Sequence, residues 1–85
     1  MDYIHAHKFL NAGDIVRVTL DRQANVLLLN DINHSNYRCG KGFEYYGGPA
    51  TKTPFDIGVP YSGHWHVVID LGGAAGQLRY NIEVI

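Results

Sequence analysis

The segment Gly63-His64-Trp65-His66-Val67-Val68-Ile69-Asp70-Leu71 changes polarity with a period of two, and this alternation constrains the chain more than any other feature. Successive side chains of a strand point to opposite faces, so Trp65, Val67, Ile69 and Leu71 form one apolar row. That row holds the only tryptophan and is predicted to face a core. His64, His66, Val68 and Asp70 form the other row, with its two imidazoles about 7 Å apart for positions i and i+2 of a strand. Turn residues bound the segment, Pro60-Tyr61-Ser62 before it and Gly72-Gly73 after it.

The same period recurs along the chain. Residues 3–9 read as a strand with Tyr3, His5 and His7 on one face and Ile4, Ala6 and Lys8 on the other, and Asn11-Ala12-Gly13-Asp14 as a turn. Residues 15–20 place Val16, Val18 and Leu20 opposite Ile15, Arg17 and Thr19, with β-branched side chains that suit a half-buried pleat. After a turn at Asp21-Arg22-Gln23, residues 24–30 are apolar on both faces and are expected in the centre of a sheet. Residues 31–42 read as a long polar loop, and 43–46 as a short strand stopped by Gly47-Gly48-Pro49, whose glycines are expected to serve a turn. Residues 53–59 form a further strand whose Pro54 suggests an edge or first position. Near the end, Leu78, Tyr80, Ile82 and Val84 alternate with Gln77, Arg79, Asn81 and Glu83. No segment keeps a 3.6-residue apolar period over ~10 residues, so no long helix is expected. The pattern predicts an all-β fold, a small antiparallel β-sandwich, jelly-roll-like or a flattened barrel, with six to eight strands.

At 85 residues the chain is expected to be one domain, 1–85, since a second core could not be built from what remains. Seven Lys and Arg against eight Asp and Glu give a net charge of −1, so no basic field draws it to nucleic acid or an anionic membrane. No run approaches the ~20 apolar residues that span a bilayer, and residues 1–8 lack the basic and apolar regions of a signal peptide. Cys39 is the only cysteine, which excludes an internal disulfide and suits a reducing, cytoplasmic setting.

The run Tyr45-Tyr46-Gly47-Gly48, with residues 59–73, Gly13-Asp14 and Ser35-Asn36-Tyr37-Arg38, resembles a family of small bacterial domains catalogued as domain of unknown function 1883. The likeness covers nearly the whole chain. It implies a compact β-sandwich found alone or fused to other domains, including TIR signalling domains, and it implies no activity and no catalytic set.

Chemistry is carried by two groups of residues. His64 and His66, like His5 and His7, are same-face strand pairs that could share a metal ion if His34, Cys39 or Asp70 approached as a third ligand. The ordinary alternative is strand histidines bonded to backbone or to tyrosine hydroxyls. Tyr37, Arg38, Lys41, Tyr45, Tyr46, Tyr61, His64 and His66 form an aromatic and basic set around glycine-rich turns, suited to ligand recognition because a tyrosine offers a flat apolar face and a hydroxyl. Cys39, Ser35 and Ser62 carry no recognisable nucleophile pattern, and so small a sandwich has little volume for a water-excluding pocket. The leading expectation is therefore a non-enzymatic module that uses residues 31–48 and the His64 and His66 face to recognise a small ligand or protein. No cofactor is expected, and the chain is read as a monomer or weak homo-oligomer. The rival readings are metal binding through the His-x-His pairs and assembly through a sheet edge or an apolar row involving Ile15 and Leu27.

Overall fold

The structure, a computed structural model, describes residues 3–71 and 77–85. Within them run β1 (Tyr3–Leu10), β2 (Ile15–Leu20), β3 (Ala24–Asn30), α1 (Asp31–Arg38), β4 (Tyr46–Ala50), β5 (Phe55–Gly58), β6 (Gly63–Asp70) and β7 (Tyr80–Val84). The strands form two antiparallel sheets, a four-stranded one in the order β1-β6-β3-β4 and a three-stranded one in the order β5-β2-β7. The chain is thus the small all-β sandwich that the alternation predicts. The expected turn at Gly72-Gly73 lies outside the described residues. Among those described, no helix is long and apolar enough to cross a membrane.

The core lies between the sheets and is built from the predicted rows. Val16, Val18 and Leu20 of β2 meet Val26 and Leu28 of β3 and Trp65, Val67 and Ile69 of β6, all buried. The Trp65 indole N–H donates to the Tyr61 carbonyl at 3.0 Å, so the large ring is buried without leaving its one donor unpaired. β3 is apolar on both sides because both sides are covered. Its outer row, Leu27 and Leu29, joins Val68 in a second cluster against Tyr3, Tyr37 and Phe43. Leu27 is therefore buried and not part of an exposed apolar row, which corrects the assembly surface expected from sequence; Ile15 is exposed.

Two expectations for the middle of the chain are overturned. Residues 31–38 form a helix where a loop was expected, because the helix is made by its ends and not by an apolar period. The Asn30 side chain caps the first turn by accepting from the Asn33 N–H at 2.9 Å. At the other end the amides of Gly40 and Lys41 donate to the Tyr37 and Asn36 carbonyls, and Gly40 takes the φ of 72° that such a helix stop requires. An isolated eight-residue helix is marginal in water. Burial of Leu27, Leu29 and Val68 beneath Tyr37 and Phe43, each worth about 1.5–3 kcal/mol, holds it to the sheet.

β4 is also displaced from the expected 43–46: it runs through Gly47-Gly48-Pro49 and does not stop there. Pro49 is tolerated because β4 is an edge strand. Gly47 sits opposite Leu27 with φ 107°, and a Cβ there would be driven into the Val26 carbonyl and to 2.9 Å from Ile57 Cδ1. Its glycine serves a close approach of the two strands and not a turn.

Candidate functional site

β1 and β6 are neighbours, with His7 opposite His66, His5 opposite Val68 and Phe9 opposite His64. Opposed residues of an antiparallel pair share a face, so both His-x-His pairs rise from the outer side of the four-stranded sheet, away from the Trp65 row. The pairs interlock diagonally. His5 Nε2 lies 2.8 Å from His66 Nδ1, and His7 Nδ1 lies 2.9 Å from His64 Nε2.

The helix completes the arrangement. Its Asn30 cap sets Asp31 in the first turn, and His34, three residues on, lies on the same helix face. The His34 ring stacks on His5 and on His66, with centroids 4.2 and 4.1 Å apart and planes within 19° and 9° of parallel. All five histidines of the chain thereby gather in one cluster. Asp31 Oδ1 lies 2.6 Å from His66 Nε2. With that carboxylate ionised, His66 Nε2–H donates to Asp31, and in the neutral ring His66 Nδ1 then accepts from His5 Nε2–H.

Burial and neighbouring charge disfavour the protonated forms of His34 and His5. His34 is buried, and its Nε2 finds no hydrogen-bond partner among the described residues. Its pKa is lowered to about 4, first by burial, then by the nearby His66, His5 and Arg38, with Asp31 opposing. His5 is lowered too, by burial and then by His66, His7 and Arg38. The hydrogen bond from His66 holds the Asp31 carboxyl below its ordinary range. Two triads offer ligand atoms all within 4.8 Å of one another: His5 with His34 and His66, and Asp31 with His64 and His66. Imidazole nitrogens and a carboxylate at this spacing are a donor set for zinc, copper or nickel.

The family described as Domain of unknown function (DUF1883) matches the chain over residues 1–85. The chain belongs to this family. No curated protein and no solved structure matches it.

In this DUF1883 domain the residues singled out from sequence separate into four places. His5, His7, His64 and His66 meet, and of the proposed third ligands only His34 joins them. Asp70 instead accepts from the Tyr37 hydroxyl at 2.7 Å, and Cys39 is exposed at the helix end. Burial and that bond push the Tyr37 hydroxyl well above its ordinary pKa. Tyr37 and Tyr45 line a shallow hollow of about 260 Å³ with Phe43 and Asp70. Tyr46, opposite the core residue Leu28, and Tyr61 pack on Trp65, on the other side of the sheet from the histidines. Arg38 ends the helix near His5 and His34, while Lys41 is exposed and contributes its amide to the helix stop. Asp31 was not among the residues expected from sequence. The signal that could have found it is its place after an Asn, in the first turn of a capped helix.

Proposed function

We propose that this domain binds a divalent transition-metal ion through His5, His34 and His66. One observation carries the reading: a buried imidazole, His34, whose Nε2 has no partner among the described residues, stands among two further imidazoles whose nitrogens are within ligand-sharing range. Burying a polar atom without a partner costs about 1–3 kcal/mol, and a ligand that uses its lone pair removes that cost. The Asp31–His66 pair has the form of a carboxylate that orients a metal-binding histidine, presenting Nδ1 toward His5. The chemistry supported is binding; no reaction is assigned.

Calorimetry with zinc, nickel and copper on untagged, chelator-treated protein tests this. The wild type should take up at least one equivalent, and His34→Ala and His66→Ala should each weaken zinc binding by about 100-fold or more, beyond the 10–100-fold typical of outer partners. Uptake below a tenth of an equivalent, or full affinity in both variants, would remove the reading.

The recognition reading keeps one support of its own, the hollow beside Tyr37 and Tyr45. A fragment screen by NMR tests it: shifts confined to Tyr37, Phe43 and Tyr45 that persist in His66→Ala would assign a ligand there independently of metal.

A further inference from the structure

The two triads share one residue, and that residue has two nitrogens. His66 Nδ1 faces His5 Nε2 at 2.8 Å, within the triad that His34 completes, while His66 Nε2 faces Asp31 Oδ1 at 2.6 Å, within the triad that His64 completes. We infer that His66 is a bridging ligand holding two metal ions, one on each ring nitrogen. The inference rests on the metal-binding reading and extends it from one ion to a coupled pair.

Three features support the second site as more than an orienting contact. Asp31 and His64 are exposed, so an ion reaches that side without moving the core. His64 Nε2 already has a partner in His7 Nδ1 at 2.9 Å, which fixes the ring where it meets Asp31 and His66. The carboxylate also gives the second site an anionic ligand that the all-imidazole first site lacks, and this offsets the repulsion between two cations. With metal–nitrogen bonds of about 2.0–2.1 Å, ions on the two nitrogens of one imidazole stand on the order of 6 Å apart.

The proton count closes. The first ion replaces the hydrogen bond from His5 and binds the lone pair on His66 Nδ1; His5 keeps one proton by carrying it on Nδ1, so no proton is lost. The second ion takes His66 Nε2, and the proton held there leaves to solvent. His66 becomes an imidazolate, and Asp31 stays ionised and moves from acceptor to ligand. No electron is transferred.

Copper(II) is the probe, because two copper ions joined through an imidazolate couple magnetically and lose the signal each gives alone. Chelator-treated, untagged protein is titrated with copper at neutral pH and followed by electron paramagnetic resonance and by bound-metal analysis. The expected course is a signal that rises to one equivalent and then falls as the second equivalent binds. His64→Ala, at an exposed position outside the His5, His34 and His66 triad, should bind one copper with undiminished signal. Replacing the second copper by zinc should restore the signal of the first. Saturation of the wild type at one equivalent, or two equivalents with additive uncoupled signals, would overturn the bridge and leave the single-ion site standing. No copper bound at all would overturn both.

Discussion

His34 occupies a place where an aliphatic side chain would serve the fold better. It is buried on the helix face that stacks on His5 and His66, with a ring nitrogen that nothing in the described chain satisfies. Its lowered pKa ties stability to pH. Above the unfolded imidazole value of about 6.5 both states are neutral and this residue adds no pH dependence. As pH falls from there toward the folded value of about 4, the unfolded chain takes up a proton that folded His34 refuses, and stability is lost. The slope from one such group is at most about 1.4 kcal/mol per pH unit. Urea melts of chelator-treated protein near pH 7.5, 6 and 4.5 should show a falling midpoint. His34→Leu should flatten the fall and raise the unfolding free energy near pH 7.5 by about 1 kcal/mol, since an apolar side chain removes the unsatisfied atom. The same variant should lose tight zinc binding. Greater stability with lost binding is the signature of a residue kept for a ligand, and a His34→Leu protein less stable than wild type near pH 7.5 would show instead that the imidazole packs as a structural element.

Most strands were legible because they announce themselves within their own residues: alternation in β2 and β6 gives both the element and its inner face. The helix was not, because residues 31–38 are mostly polar and the information lies in Asn30 and Gly40, outside the helix, and in an apolar patch supplied by other strands. β4 was misplaced for a related reason. Gly47-Gly48-Pro49 reads as punctuation locally, and only an edge position makes it a usable strand. The candidate site divides along the same line. That His64 and His66 share a face follows from strand period alone, whereas their meeting with His5 and His7 needs β1 beside β6, a pairing that no local pattern encodes. His34 and Asp31 needed the helix. Because α1 is held by its cap, one apolar patch and its side-chain contacts with His5 and His66, it should open as a unit of its own. Asn30→Ala removes the acceptor for the Asn33 N–H and side chain and a donor to the Tyr61 hydroxyl. It should cost about 1 kcal/mol and speed amide exchange across α1 by about fivefold, leaving the central amides of β3 and β6 unchanged. Equal acceleration in β6 would mean that the helix and sheet open together.

At the scale of the whole molecule the cluster ties three parts together, the edge strand β1, the strand β6 and the helix α1. β1 is an edge strand paired with β6 alone, α1 sits on the outer face, and the histidines stitch β1 to β6 and both to the helix. For an 85-residue domain, whose total stability is a small difference between large terms, such a stitch matters. A ligand that binds only the folded state adds about 2.7 kcal/mol when its free concentration is 100 times its dissociation constant. With about 4–8 °C per kcal/mol for a domain this small, zinc at that excess should raise the melting temperature by roughly 10–20 °C, and excess chelator should reverse the rise. A competing effect runs the other way, because the unfolded chain also carries five histidines and binds metal weakly, which reduces the shift. His66→Ala separates the two: it leaves four histidines to the unfolded chain but breaks both triads of the folded one. In that variant zinc should leave the melting temperature unchanged or lower it. Equal stabilisation of wild type and His66→Ala would place the effect outside the cluster, and the metal-binding reading would fail with it.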